Sequence, residues 1–204
     1  MTERIALVTG AAKGIGEACV WRFLREGMTV VGVATSPLAV ELAAQSRLHF
    51  VVGDVADPAT WERVSDMLDQ LGGALEALVL DAAQVFAGTV LDVPLEDWRR
   101  VFETNVFGAV LGAQACLPRM IERGKGQIVI VSSVNGWMAE QGLIAYSCTK
   151  ATLIEMTKSL AVDHAHQGIR ANVVAPGTTD TPTFRPCDGL LRPRRALDRH
   201  AGPS

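Results

Sequence analysis

The chain has 204 residues, of which 49% are hydrophobic and 20% are charged, and its formal net charge is −3. This composition fits one globular domain and excludes a disordered chain, and the mild acidity argues against a nucleic-acid partner. The longest uncharged run, from Thr104 to Pro118, is shorter than the ~20 residues that a membrane span needs, so we expect no membrane segment.

Short apolar runs alternate with longer helical patterns along the chain. Six nearly continuous apolar runs are typical of strands that are covered on both faces of a parallel sheet. They span residues 5–8, 30–33, 49–52, 77–80, 128–131 and 171–174. The helical patterns span residues 15–26, 58–71, 95–122 and 144–166. With right-handed crossovers, this alternation predicts an α/β fold: a Rossmann-like, doubly wound parallel sheet of six strands with helices on both faces.

A glycine-rich turn, Thr9 to Gly16, joins the first predicted strand to the first predicted helix. Glycine allows a tight turn and a close approach of the backbone to a diphosphate. The helix N-terminus then offers free N–H groups and a partial positive charge. The turn therefore predicts a dinucleotide site, although such turns also occur in α/β folds without one. The expected cofactor-binding residues here are Gly10, Ala12, Lys13, Gly14, Ile15 and Gly16.

The end of the second strand bears on the choice of cofactor. An acidic residue there would bind the adenosine ribose hydroxyls and favour NAD. The sequence instead reads Ala34-Thr35-Ser36, and no acidic residue lies between Glu26 and Glu41. Small hydroxyl side chains leave room for a 2′-phosphate, and Lys13 would supply a compensating charge. We therefore expect NADP, with NAD as the second choice.

Asp54 and Val55 follow the third strand. We expect them to hold the adenine ring, with an ordinary capping role for Asp54 as the alternative.

Tyr146 and Lys150 are four residues apart on one predicted helix, and Tyr146 is the only tyrosine. Residues at this spacing share a helical face. A neighbouring ammonium lowers the pKa of a phenol, because it favours the phenolate. The pair therefore predicts a general acid and base matched to hydride transfer, although a solvated surface pair has the same spacing.

Other polar residues fall at the predicted crevice outside the carboxyl ends of the strands. Ser133 ends the fifth strand and would hold a substrate oxygen, unless it is only a turn serine. Asn105 lies in an apolar helical stretch, where its amide must bond either a functional group or the backbone. The segment 176–181 follows the sixth strand and would form a floor under a nicotinamide, or a simple turn.

The sequence gives no sign of a metal site or of disulfides. His164 and His166 are two residues apart near the end of a helix and do not share a face. The cysteines form no CxxC pair, which is typical of free thiols and predicts a cytoplasmic location. They are Cys19, Cys116, Cys148 and Cys187.

Taken together, these residues resemble the short-chain dehydrogenase/reductase family over about residues 4–184. The turn resembles the family's TGxxxGxG, and Asn172 to Gly177 matches NxVxPG. Four residues match its catalytic tetrad in order, with the family's 13-residue step from serine to tyrosine: Asn105, Ser133, Tyr146 and Lys150. Within the family, residues 31–36 and the lysine-bearing turn are most similar to the 3-oxoacyl-(acyl carrier protein) reductases.

The resemblance implies a role for each matched residue. Tyr146 would donate the proton, Lys150 would bind the nicotinamide ribose and tune Tyr146, and Ser133 would orient the carbonyl. Asn105 would hold the water of a proton relay. The cofactor would also contact residues that follow the fourth and sixth strands: Asp81, Ala82, Pro176, Gly177, Thr179 and Thr181.

The chain departs from the family pattern at two places. The family's NNAG reads Asp81-Ala82-Ala83-Gln84 here, which adds charge near the adenosine side. Family members also continue with a substrate-covering loop, a further helix and a seventh strand. Segment 185–204 instead carries five arginines and a net charge of +3, against −6 for the remainder. We expect a catalytic domain over 1–184 and an irregular tail over 185–204, typical of a truncation or frame change.

The predicted function is hydride transfer between NADP(H) and a carbonyl or secondary alcohol, and the resemblance implies a 3-oxoacyl thioester as the substrate. One alternative is an NAD-dependent dehydrogenase of a cyclic diol or other alcohol, since residues 174–181 are also similar to the dihydrodiol dehydrogenases. Another is a truncated, inactive dinucleotide-binding protein. The family further implies a homodimer or homotetramer formed through helices 95–122 and 144–166.

Overall fold

The six predicted apolar runs form six strands in the computed structural model, which describes residues 3–181. All adjacent strands pair in parallel, in the order β3-β2-β1-β4-β5-β6. The strands are β1 (Arg4–Thr9), β2 (Thr29–Ala34), β3 (Leu48–Val52), β4 (Ala74–Leu80), β5 (Gly126–Val131) and β6 (Ile169–Val174). The Rossmann-like doubly wound sheet is therefore confirmed. The predicted tail, 185–204, lies outside the described residues, as do residues 182–184 of the predicted domain.

Six α-helices connect these strands within residues 3–181: α1 (Gly14–Arg25), α2 (Val40–Ala43), α3 (Pro58–Leu71), α4 (Leu95–Phe102), α5 (Gly108–Glu122) and α6 (Ile144–His164). Helix α3 has the predicted bounds because both of its ends carry local signals. Asp57 caps its first turn by accepting from the Ala59 N–H at 3.0 Å. Gly72 ends it in the left-handed conformation, at φ 59°.

The predicted helix over 95–122 is continuous, but its middle is not α-helical. Residues Glu103–Phe107 form a π-helical turn between α4 and α5. Asn105 lies in this turn and is 1% exposed. π turns are rare and often lie at functional sites, and this one brings Asn105 against the loop that follows β4.

Hydrophobic clusters cover both faces of the sheet, as the uninterrupted apolar strands require. On one face, Trp61 of α3 and Met120 of α5 pack against strand residues such as Leu7. On the other face, Val20 of α1 packs against Val8. Burying each such side chain contributes about 1.5–3 kcal/mol. Two packed faces leave the ends of the strands as the place for a site.

The strand order reverses between β1 and β4, which are neighbours in the sheet. The first three strands are added in one direction from this point, and the last three in the other. Strands β2 and β3 lie to one side of this point, and β5 and β6 lie to the other. A crevice opens at such a switch point, outside the carboxyl ends of the strands. Among the described helices, none is both long and apolar enough to cross a membrane.

Candidate active site

A cleft of about 280 Å³ lies at the carboxyl ends of the central strands. It receives side chains and backbone from the glycine-rich turn, the loops after β4, β5 and β6, and the first turns of α6. This is the crevice that the switch point predicts. The predicted site residues that line it are Gly10, Lys13, Gly14, Ile15, Asp81, Ala82, Ser133, Tyr146, Lys150, Pro176, Gly177, Thr179 and Thr181.

The glycine-rich turn has the geometry of a phosphate loop. Gly10 and Gly14 have φ values of +68° and +63°, which side chains rarely allow. A Cβ at Gly16 would lie only 2.3 Å from the Gly10 carbonyl oxygen, so helix and turn meet closely there. Exposed Lys13 forms the N-cap of α1 without a capping side-chain bond. The residues present therefore fit a dinucleotide diphosphate at this helix N-terminus.

Thr9 fixes the turn to the end of β4. Its hydroxyl oxygen accepts the backbone N–H groups of Asp81 at 3.0 Å and Ala82 at 3.2 Å. These bonds hold the loop that replaces the family's NNAG against the end of β1.

Lys150 is only 2% exposed, and its ammonium faces the ring of Tyr146 from 5.4 Å, measured from Nζ to the ring centroid. Nζ donates to the carbonyl oxygen of Val131 at 2.8 Å. Burial lowers the pKa of Lys150 to about 8, and the nearby Asp81 carboxylate partly offsets this effect. The predicted shared face of Tyr146 and Lys150 therefore lies in the cleft rather than toward solvent.

Two serines directly follow β5 and make different contacts. Ser132 donates to the backbone carbonyl of Lys150 at 2.7 Å, and this bond ties α6 to the strand. Ser133 lines the cleft with Tyr146, and its oxygen accepts the Asn135 N–H at 3.2 Å. Ser133 therefore lies in the same cleft as the phenol of Tyr146.

Asn105 lies behind the cleft lining rather than in it. Its Oδ1 accepts the Gln84 N–H at 2.7 Å, and its Nδ2 donates to the Gln84 carbonyl at 2.9 Å. Nδ2 also donates to Thr149 Oγ1 at 3.0 Å, and Thr149 donates to the Tyr146 carbonyl at 2.7 Å. The Asn105 amide therefore bonds both the backbone and a hydroxyl group, as expected for a buried amide. Its role toward a water stays a prediction.

The residues predicted for the adenosine half are not among those that line the cleft. Thr35 is exposed and Ser36 is half-buried at the end of β2. The Asp54 carboxylate accepts the Ala56 N–H at 2.9 Å within the turn that precedes α3, whereas the N-cap of that helix is Asp57. Val55 is 5% exposed and packs against Gly108 of α5. Ala12 and Gly16 also lie outside the lining, and the contacts of all these residues with a cofactor stay predictions.

The sequence did not reveal that Asp81 and Lys150 interact. Burial raises the pKa of Asp81 to about 6, while Lys150 and the Gly16 N–H act in the opposite direction. Gln84 and Glu140 line the same cleft and were also missed as site residues. The available signal for Gln84 was its position in the loop that follows the buried strand β4.

No cluster of three metal-ligating side chains occurs between residues 3 and 181. The arrangement instead combines a phosphate-binding turn, a phenol, an ammonium and a hydroxyl. It can bind a diphosphate, orient a polar oxygen and transfer a proton.

Comparison with known proteins places this site in a family context. The family model described as short chain dehydrogenase matches residues 4–188. The chain is 39% identical to Oxidoreductase UcpA from Escherichia coli (strain K12) over 188 residues, covering 89% of this chain and 72% of that protein.

The chain is also similar in fold to solved structures of dehydrogenases and reductases. One is an oxidoreductase of the short chain dehydrogenase/reductase family from Burkholderia thailandensis, with a TM-score of 0.82 and 37% identity, covering 91% of this chain and 72% of that one. Another is 4-hydroxyisoleucine dehydrogenase complexed with NADH, with a TM-score of 0.80 and 26% identity. The match covers 89% of this chain and 78% of that one.

Proposed function

The chain belongs to the short chain dehydrogenase family of oxidoreductases, and we propose that it transfers a hydride between NADP(H) and a carbonyl compound or secondary alcohol. One observation carries the proposal: Tyr146, Lys150 and Ser133 line the same cleft as the glycine turn. A bound nicotinamide would supply or accept the hydride, and the chain's own residues would handle the proton and the orientation of the substrate.

Tyr146 is the proposed proton donor in the reductive direction. The Lys150 ammonium, 5.4 Å from the ring centroid, favours the phenolate that remains after the proton has left. Lys150 would also hold the ribose next to the nicotinamide. Ser133 would donate to the substrate oxygen and keep it within reach of Tyr146.

Asn105 acts through its neighbours in this proposal. Its amide joins the Gln84 backbone to Thr149, which in turn bonds the Tyr146 carbonyl. We propose that this chain of bonds positions the phenol, and that a water held near Asn105 completes a proton relay.

NADP is the proposed cofactor. The support is the absence of an acidic residue between Glu26 and Glu41 and the presence of exposed Lys13 in the cleft. Thr35 and Ser36 would face the 2′-phosphate, and Asp54 and Val55 the adenine. The alternative, an NAD-dependent dehydrogenase of a cyclic diol or other alcohol, is favoured by the likeness to 4-hydroxyisoleucine dehydrogenase, which was solved with NADH.

The proposed substrate is a 3-oxoacyl thioester, which rests on the resemblance of residues 31–36 and the turn. We also propose a cytoplasmic location and a homodimer or homotetramer formed through α4, α5 and α6. Phe107, between α4 and α5, is 49% exposed, and Val162 of α6 is 78% exposed. Light scattering after size-exclusion chromatography tests the assembly, and a mass equal to the 21.8 kDa chain would refute it.

Binding and turnover together test the function. NADPH fluorescence titration should show saturable binding to wild type and to Tyr146→Phe. Oxidation of NADPH with acetoacetyl-CoA should be measurable for wild type and fall at least ~100-fold in Tyr146→Phe. Cys148→Ser, an exposed neighbour outside the cleft lining, is the control and should keep the activity.

Each alternative has a distinct outcome. Tighter binding of NADH than of NADPH favours the NAD-dependent alternative. Binding without turnover of acetoacetyl-CoA or of a panel of secondary alcohols favours the inactive dinucleotide-binding protein. Failure to bind either dinucleotide refutes the whole proposal.

A further inference from the structure

Asp81 places a carboxylate inside the phosphate-binding turn. It is the first residue after β4, and its backbone N–H is fixed by Thr9. Its Oδ2 atom lies close to two glycines of the turn. A Cβ added at Gly16 would be 3.0 Å from this oxygen, and a Cβ added at Gly10 would be 3.2 Å from it. The carboxylate also accepts the Gly16 N–H, which belongs to the first turn of α1. A negative charge therefore already lies in the turn that a diphosphate would approach.

The charged and titratable groups around Asp81 come from several elements. Lys150 of α6 carries the opposite charge and lowers the pKa of Asp81. The pKa of Cys19 in α1 is raised by burial and, to a smaller extent, by the Asp81 carboxylate. Lys13, Tyr146 and Glu140 line the same cleft. Burial dominates over these neighbours and raises the pKa of Asp81 to about 6. The carboxyl group is therefore mostly ionised at neutral pH, but not far from its midpoint.

From this placement we propose that Asp81 lowers the affinity of the cleft for a dinucleotide at neutral pH, and that binding of the dinucleotide is accompanied by uptake of one proton on its carboxyl group. The inference rests on the proposed function, because it concerns the same cofactor. Asp81 is then an affinity-determining residue and makes cofactor binding pH-dependent.

The physical reason is repulsion between two anions that share one helix N-terminus. The partial positive charge of α1 favours one anion there, and a diphosphate would compete with the carboxylate for it. A proton taken from solvent removes the negative charge of Asp81. The protonated group keeps a carbonyl oxygen that can still accept the Gly16 N–H, so the turn need not rearrange.

The sign of the pH dependence follows from linkage. A bound anion disfavours the ionised carboxyl group and raises the pKa of Asp81 further. The dinucleotide complex then binds more protons than the free protein around neutral pH. Affinity must therefore fall as the pH rises through this range.

Asp81→Asn is the test variant, because asparagine keeps an oxygen for the Gly16 N–H and removes the charge. Asp66→Asn, an exposed aspartate on α3 outside the cleft lining, changes the net charge equally and is the control. NADPH fluorescence titrations near pH 5.5 and pH 7 compare the three proteins. Only ratios between proteins are interpreted, since the ligand's own titration is common to all of them.

We expect Asp81→Asn to bind NADPH roughly fivefold or more tighter than wild type near pH 7, with little difference near pH 5.5. Asp66→Asn should follow wild type at both values. An Asp81→Asn to wild-type ratio that does not change with pH overturns the inference and leaves the proposed function standing. Failure of all three proteins to bind NADPH or NADH overturns both.

Calorimetry of NADH binding to wild type provides a test that does not depend on folding of the variant. Titrations near pH 6.5 in two buffers with different ionisation enthalpies give the number of protons exchanged. We expect net uptake of a substantial fraction of one proton. Zero uptake, or proton release, would overturn the role of Asp81.

Discussion

At the scale of single residues, Lys150 carries a buried ammonium group that a backbone carbonyl and a nearby carboxylate stabilise. Burying a charge is costly unless hydrogen bonds and opposite charges compensate. Here the Val131 carbonyl accepts from Nζ at 2.8 Å, and Asp81 supplies the opposite charge. With its pKa lowered to about 8, Lys150 remains protonated at neutral pH and can act on Tyr146.

Lys13 provides a test of cofactor preference. Lys13→Met should weaken NADPH binding about fivefold to tenfold and NADH binding much less, because only NADPH carries the 2′-phosphate that this ammonium would meet. Fluorescence titration measures both affinities. Lys125→Met removes another exposed lysine, in the loop before β5, and is the control. If Lys13→Met loses the same affinity for NADPH as for NADH, Lys13 does not contact the 2′-phosphate.

The raised pKa of Asp81 also predicts a pH-dependent cost in stability. The folded state binds more protons at this position than the unfolded state between pH 3.8, the ordinary pKa of this carboxyl group, and its raised pKa of about 6. The free energy of unfolding should therefore fall across this window in wild type relative to Asp81→Asn, by about 2 kcal/mol. Urea unfolding near pH 4 and pH 6.5 measures the difference. A constant difference would mean that the carboxyl group is not desolvated in the fold.

At the scale of elements, the close contact between the glycine turn and α1 should be sensitive to one methyl group. Gly16→Ala forces the turn to move, since the Cβ would lie 2.3 Å from the Gly10 carbonyl oxygen. We expect a loss of more than about 2 kcal/mol in unfolding free energy and a loss of dinucleotide binding.

The matched control for this change is Gly72→Ala. Gly72 has φ +59° but no atoms within 4 Å of an added Cβ. It should cost about 1 kcal/mol through backbone strain alone and leave dinucleotide affinity unchanged. Urea unfolding and NADPH titration check both variants, and similar losses in both would contradict the special role of the turn.

The π turn is held by side-chain bonds that thermodynamics can test. Thr149→Val removes the acceptor of one Asn105 amide hydrogen in a buried place and should cost about 1–3 kcal/mol. Thr152→Val, on the same helix, removes an exposed hydroxyl that bonds the Cys148 carbonyl at 2.9 Å and should cost under about 0.5 kcal/mol. Urea unfolding compares the two, and equal effects would show that the Asn105 bonds contribute little.

These elements show where sequence reasoning succeeds and where it stops. Helix α3 could be predicted from Pro58 to Leu71 because its cap residues and apolar spacing are local. Helix α2 has only four residues and carries no periodic signal. The π turn within 95–122 depends on Asn105 bonding the distant Gln84, and no local pattern encodes that contact.

At the scale of the whole molecule, the parallel topology assembles the site from distant segments. The doubly wound parallel sheet could be predicted because the strands alternate with helices and crossovers have one hand, but the order of its strands was not predicted. The cleft then follows from the switch point between β1 and β4. The coupling of Asp81 to Lys150 could not be predicted in the same way, because it depends on how deeply both side chains are buried.

The most direct measurement uses the fact that Tyr146 is the only tyrosine in the chain. Protein labelled with ¹³C at the tyrosine Cζ gives one tyrosine resonance, which reports the state of this phenol alone. If Tyr146 is the proton donor beside the cofactor, NADP⁺ should shift this resonance, and Lys150→Met should move its titration to higher pH. A resonance that responds to neither change would contradict the account.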